Sequence, residues 1–410
     1  MKKVELVAPA GNLEKLKIAF LYGADAVYLG GPYFNLRERS DNFSFSDLKK
    51  ALALANNLEK KIYFALNIYF YNNDFPKLNK YLNKLKKIGI EYLIVSDLGA
   101  VLFIRENYPS FKIHLSTQAN ATNIQAFRFF QKNGVERIVA AREMTLKDIK
   151  KAKKENPHIE IETFVHGAMC MSYSGRCMLS AYYTGRSANR GDCAQSCRWE
   201  YELVEKTRPT ESMPIVETTR GTYILSSKDM NLAEYIPQLI RAGIDSFKIE
   251  GRMKSIYYVA VVTKVYRAVI DAYYQKKKID PNILKELEFV SHRPYFTGFY
   301  FTGPEKNRES QIEKQAYVRK YNFLGYVKKK KQNLFLLELK GKIEMSTKLE
   351  VLLPEQEQNS LYLKNFILLK KVGAEFQKVD RLVIQDEGYI QTNFDLPIGA
   401  ILRTEVGGTK

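Results

Sequence analysis

Outside one stretch of 38 residues this chain of 410 has no cysteine. Thiols are therefore not scattered through it as small packing groups, and no framework of disulfides runs along its length. Long apolar runs are missing too, since nothing approaches the roughly 20 residues that a membrane-crossing helix needs. The opening MKKVELVAPAGNLEKL carries lysines but no apolar run of signal-peptide length. Together these absences lead us to expect a cytoplasmic protein, in a compartment where thiols stay reduced and disulfides are rare. The His-Glu-x-x-His pair of zinc proteases and the Gly-x-Ser-x-Gly elbow of serine hydrolases are absent, and no dinucleotide fingerprint follows the first apolar segment. Acidic residues are in deficit: 45 Asp and Glu face 64 Lys and Arg, a formal net charge of +19. A surface this basic attracts polyanions, of which nucleic acid is the commonest in a cytoplasm. A generally lysine-rich composition is the plain alternative.

What is there is concentrated. Residues Glu162 to Trp199 read ETFVHGAMCMSYSGRCMLSAYYTGRSANRGDCAQSCRW and hold Cys170, Cys177, Cys193 and Cys197, separated by six, fifteen and three residues. Four thiols so close together point to one bound centre, an iron–sulfur cluster or a zinc ion; two disulfides are the remaining alternative. Zinc knuckles pair ligands two to four residues apart, which only Cys193 and Cys197 satisfy, whereas iron–sulfur ligation tolerates wider spacing. Gly167, Gly175, Gly185 and Gly191 supply turns that let the thiols converge, and Arg176, Arg186, Arg190 and Arg198 stand beside them as thiolate-stabilising charges. We expect a [4Fe-4S] cluster, with zinc as the alternative.

Before this stretch, short apolar runs alternate with amphipathic segments. The spacing predicts strands at Val4–Ala8, Asp25–Gly30, Ile62–Leu66, Tyr92–Val95, Lys112–Ser116, Arg137–Ala141 and Ile159–Val165. Helices fall between them, among them Ser46–Lys60, capped by Ser46 or Ser44. Two later strands are expected at Tyr223–Ser227 and Ser246–Glu250, flanking a helix at Asn231–Ala242. Such regular alternation implies parallel strands joined by crossover helices, and we read it as a TIM-like (β/α)8 barrel in preference to a doubly wound sheet. Nine candidates compete for eight places, so one of the last three is expected outside the barrel. A long helix is predicted at Ser255–Gln275. From about Arg319 only short strand-like runs appear, which predicts a small all-β C-terminal domain. The expected division is a barrel over 1–300, a connection over 301–318 and the β domain over 319–410. In that domain Lys328 to Lys331 form a basic turn.

Barrel chemistry gathers where strands end. The fifth strand leads to His114, Ser116, Gln118 and Asn120, and the sixth to Arg142 and Glu143. The seventh carries Glu162 and His166. The late strands carry Lys228 and Asp229, then Lys248, Glu250 and Arg252. Alternate residues of a strand share a face, so Lys248 and Glu250 are expected to point together into the mouth. Mutual pairing as buried structural ions is the alternative for any one of them.

The run Glu162-Thr-Phe164-Val-His-Gly167-Ala168-Met169-Cys170, followed by Gly175, Cys177 and Leu179-Ser180, resembles the signature of the collagenase-like peptidase family U-thirty-two. ELVAPAGN, LSTQAN and KIEGRMKS support the resemblance, which covers about residues 3 to 300. The family name implies proteolysis, with a cysteine nucleophile and His166 as base; that would leave three cysteines unexplained. Other branches are similar to hydroxylation proteins for tRNA, ribosomal RNA or ubiquinone precursors, with a four-iron–four-sulfur cluster on four cysteines. Length, cysteine pattern and C-terminal domain most resemble the tRNA branch. That branch implies 5-hydroxyuridine formation at the wobble position, with prephenate as oxygen source. By this resemblance Cys170, Cys177, Cys193 and Cys197 are the cluster ligands. His166, Lys248 and Glu250 are the expected catalytic groups. His114, Gln118, Asn120, Glu162, Lys228, Asp229 and Arg252 are expected to bind substrate. The expected partner is tRNA, with a small carboxylate as co-substrate and the electron donor open. A collagenase-like protease and a zinc-stabilised RNA-binding scaffold are the competing functions.

Overall fold

The computed structural model describes residues 3–38, 41–170, 172–199, 217–218, 221–222, 228–304, 317–355 and 360–407. Eight parallel strands close into a barrel: β1 (Glu5–Pro9), β2 (Ala26–Gly30), β3 (Lys61–Leu66), β4 (Tyr92–Val95), β5 (Lys112–Leu115), β6 (Val135–Val139), β7 (Glu160–Ala168) and β8 (Ser246–Ile249). Each pairs with the next, and β8 closes the ring by pairing with both β7 and β1. The crossover segments form because their sequences cap and bury one face. In the helix Phe45–Asn57, Ser44 accepts from the Asp47 amide while Asp47 reaches back to Ser44, a reciprocal capping box. Asn123 and Thr145 cap the helices Ile124–Lys132 and Leu146–Glu155 by accepting from the amides of Ala126 and Asp148. Each helix buries an apolar stripe, as in Phe75–Ile88, where Leu78, Tyr81, Leu82 and Leu85 are buried.

The barrel is therefore the fold the sequence predicts. Of the nine strand candidates, Ser246–Glu250 supplies the eighth barrel strand. The candidate Tyr223–Ser227 lies outside the described residues. The chain beside it continues as a short strand, Asp229–Asn231, which runs antiparallel to β7. The helix expected at Asn231–Ala242 is shorter: a 3-10 turn at Ala233–Tyr235 leads into Ile236–Arg241, because Pro237 has no amide hydrogen and suits only the first turn of a helix.

The chain forms two compact units, and their boundary differs from the expected one at 300. The first contains residues 1–20, 24–254 and 293–317; the second contains 21–23, 255–292 and 318–410. The helix Ile256–Tyr274 thus belongs to the second unit. It is buried along nearly its whole length, from Ile256 to Ile270, which explains its all-round apolar sequence. The second unit's sheet has eight antiparallel strands: β9 (Tyr321–Lys331), β10 (Leu334–Leu339), β11 (Leu349–Leu352), β12 (Ser360–Leu363), β13 (Ile367–Val372), β14 (Glu375–Val379), β15 (Gly388–Gln391) and β16 (Ile401–Glu405), in the order β12-β11-β16-β9-β10-β15-β13-β14. Its core is aliphatic, with Val327, Phe335, Val351, Leu368, Ile390 and Leu402 fully covered. Within this unit Arg403 is also fully covered, and it bridges Glu286 and Glu350 while lying against the rings of Tyr257, Phe289 and Tyr321. Lys328 to Lys331 end β9 and are exposed.

Candidate active site at the barrel mouth

A column of charge fills the inside of the barrel. At the strand starts, Glu5 accepts from Tyr63 (2.6 Å) and pairs with Arg137 (2.5 Å). Arg137 also reaches Glu160 at 2.6 Å and Glu162 at 3.0 Å. Glu162 in turn accepts from Lys248 at 2.7 Å and from Ser246 at 3.2 Å. Burial alone would raise the Glu162 carboxyl, but Lys248 and Arg137 outweigh it and hold the group down to about 2. His114 stacks edge-on to Tyr63 (4.6 Å between centroids); burial, with the charge of Arg137, pushes its ring well below the usual histidine range, so it is neutral. Lys248 is the upper end of this column and faces the mouth.

The mouth is a cavity of about 490 Å³ formed where β2 to β8 end. Strand residues lining it include Tyr28, Ala65, Ile94, Ser116, Val139, Phe164 and Lys248. All four cysteines line it as well, and none is in a disulfide, which removes the paired-disulfide alternative. The cysteine stretch is tied to the strand ends beneath it. Ser174 donates to Glu143 through its amide (2.6 Å) and hydroxyl (2.5 Å). Arg176 donates to the Tyr69 hydroxyl (2.6 Å) and to the carbonyls of Gln118 (3.0 Å) and Ala119 (3.3 Å). Arg190 grips Asp74 with both guanidinium nitrogens, at 2.8 and 3.2 Å. Gly191, at φ +100°, takes a conformation that L residues avoid, and a β-carbon there would run into the Asn35 carbonyl. Glycine at that point lets the segment bearing Cys193 lie against the loop after β2.

Cations dominate the lining: Arg37, Arg142, Arg186, Lys248, Arg252, Lys254 and Arg293 face Asp192 and Glu250. Arg252 is buried, donates to Asn35 and keeps an unpartnered Nε; burial lowers it to about 10. Gly30 makes room for it, since a β-carbon there would clash with the Arg252 guanidinium. Arg142 lies over the Phe164 ring at 4.3 Å, also with an unpartnered Nε.

The structure thus brings Gln118, Lys248, Glu250, Arg252 and the four cysteines to one cavity. Ser116 and Arg142, also singled out at strand ends, line it too, whereas the remaining candidates do not. His114 and Glu162 belong to the column inside the barrel. His166 is buried on β7, its ring 5.3 Å from that of Tyr295. Asn120 caps a 3-10 turn in the left-handed conformation. Lys228 is half-buried. Asp229 forms a covered ion pair with Arg293 at 2.7 Å. Sequence reasoning passed over Arg37, Lys254 and Arg293, which sit in loops after β2, after β8 and near the end of the first unit. The rule that barrel chemistry lies in post-strand loops would have led to the first two.

Four free thiols on one cavity wall are the donor set of a thiolate-bound iron–sulfur cluster or zinc ion, and the arginines around them suit its negative charge. Among the described residues no three His, Cys, Asp or Glu side chains stand close enough to hold a metal ion together, so the thiols share the cavity without being drawn onto one point. Among the described residues no helix is long and apolar enough to cross a membrane.

Three relatives show what the chain resembles. It is 43% identical over 329 residues to "tRNA hydroxylation protein P1" of Bacillus subtilis, covering 80% of this chain and 77% of that one. It is 35% identical over 399 residues to "tRNA hydroxylation protein P" of Escherichia coli, covering 88% of each. It is 33% identical over 312 residues to "Collagenase" of Porphyromonas gingivalis, covering 72% of this chain and 73% of that one. The model of Peptidase family U32 matches residues 11–310, which contain barrel strands β2 to β8 and the whole cysteine stretch. By this match and these identities, the chain belongs to Peptidase family U32.

Proposed function

We propose that this chain is a tRNA-modifying enzyme that hydroxylates the wobble uridine to 5-hydroxyuridine with the help of a [4Fe-4S] cluster, prephenate serving as oxygen source. The observation that carries the reading is the cavity itself: four free thiols and more cationic than acidic side chains line it where barrel strands end. Two relatives are named as tRNA hydroxylation proteins, at 43% and 35% identity. Replacing a C–H by C–OH adds one oxygen and removes two electrons from the base, so the site needs an oxygen donor and a redox group. Cys170, Cys177, Cys193 and Cys197 would hold the cluster, which supplies one-electron transfer when bound. Arg252 and Arg142, with unpartnered donors in the cavity wall, would hold the carboxylates of the co-substrate. Lys248, anchored on Glu162, would place a proton donor at the cavity floor. Mass spectrometry of tRNA nucleosides from a deletion strain tests this. We expect hydroxyuridine-derived nucleosides to vanish and to return with the wild-type gene but not with Cys193→Ser. Unchanged nucleosides would refute the reading.

The collagenase relative favours a protease. Among the described residues, however, no histidine lines the cavity, so no cysteine–histidine pair faces it. Gelatin cleavage by purified protein that is lost in Cys177→Ser would reverse this preference.

A further inference from the structure

The cysteine stretch exposes apolar surface of a particular kind. Tyr182 is 82% exposed, Met178 73%, Tyr173 52% and Trp199 43%. Each stands within two residues of a residue that lines the cavity: Ser180, Cys177, Ser174 and Cys197 respectively. The exposed side chains thus belong to the stretch whose other residues line the mouth. Tyr182 and Tyr183 belong to the short helix Leu179–Thr184, their rings 5.2 Å apart and nearly perpendicular. That helix is fixed beneath them. The Ser180 hydroxyl donates to the Arg186 carbonyl (2.7 Å) and accepts from the Ala194 amide (2.9 Å), and Gly185 closes the helix in the left-handed conformation. Ser180 thus fixes the helix at its base, while Tyr182 stands largely in solvent.

Exposed tyrosines on a protein with net charge +19 have a definite chemical complement. Arg176, exposed beside Cys177, is bonded to neutral oxygens of Tyr69, Gln118 and Ala119, so its charge is not cancelled by a carboxylate. Exposed aromatic rings in the same stretch as an uncancelled arginine charge match unpaired nucleobases on a phosphate backbone; a paired duplex hides the base faces that would stack.

We infer that Tyr182 and its neighbours form a stacking platform for an unpaired base of a single-stranded RNA loop, next to the one that enters the cavity. The inference rests on the RNA-modifying reading above and adds which surface receives the loop and by what contact. Fluorescence anisotropy with a labelled single-stranded uridine-containing oligoribonucleotide, and with a fully paired RNA hairpin of equal length, tests it. Tyr182→Ala should weaken single-strand binding on the order of tenfold and leave the salt dependence unchanged, since no phosphate contact is lost. Tyr182→Phe, which keeps the ring, should bind as wild type. Wild-type-like binding by Tyr182→Ala, or equal losses for single strand and hairpin, would overturn the platform. So would dimerisation of the wild type that Tyr182→Ala abolishes, because the face would then belong to a second copy. If the deletion strain loses its hydroxylated nucleosides but Tyr182→Ala restores them fully, the platform fails and the enzyme reading stands. If the deletion strain's nucleosides are unchanged, the enzyme reading itself fails.

Discussion

Glu162→Gln is the perturbation whose cost follows most directly from the structure. The side chain is 1% exposed and accepts from Lys248, Arg137 and Ser246. In the folded barrel its carboxyl is held at about 2, against 4.5 when free. At about 1.4 kcal/mol per unit, that depression is worth roughly 3 kcal/mol of stability near neutral pH. An independent route gives the same scale, since removing one partner of a buried ion pair costs about 3–5 kcal/mol by stranding the other charge. Because the folded-state value is depressed, this stability is present in full above the unfolded value and is lost as pH falls from about 4.5 towards 2. The glutamine cannot titrate. The gap between wild type and variant should therefore be widest at pH 7 and close progressively below pH 4.5. Hydrogen exchange of peptides covering β7 and β8, measured at several pH values, reads that gap in the barrel separately from the second unit. A gap under about 1 kcal/mol at pH 7 would refute the reasoning, as would one that stays constant on acidification.

Asp229→Asn should destabilise the first unit by about 3 kcal/mol, because it strands the covered Arg293 guanidinium, and a thermal melt will show it. Lys264 is covered in the second unit and donates to the carbonyls of Leu353 and Glu355; burial lowers it to about 8. Since the unfolded chain then binds the extra proton between about pH 8 and 10.5, stability of this unit should rise with pH across that window, and Lys264→Met should abolish the rise in urea titrations. Ser44→Ala removes an exposed capping box and should cost about 1 kcal/mol while leaving RNA modification intact; a loss of modification would show that the helix Phe45–Asn57 matters beyond stability.

The barrel was legible because alternation of short apolar runs with one-sided helices leaves few other ways to bury them, and the caps at Ser44, Asn123 and Thr145 marked helix starts locally. The second unit's claim on Ile256–Tyr274 was not legible. An all-round apolar helix announces burial, but nothing in its sequence names the surface that covers it. At the site, the four cysteines and the pair Lys248 and Glu250 were visible through confinement and strand alternation. The roles of Asp229 and Glu162 were not, because pairing with Arg293 or with Arg137 depends on partners 64 and 25 residues away. Sequence spacing carries no record of such closure.

The central claim is that four thiols at a barrel mouth hold iron. Iron, acid-labile sulfide and zinc, quantified per chain in anaerobically purified protein alongside its visible absorption spectrum, test it most directly. The account predicts about four iron and four sulfide per chain with broad ferric–thiolate absorption, all lost in Cys193→Ser. Stoichiometric zinc, or protein without iron whose four thiols titrate freely after anaerobic purification, would contradict it.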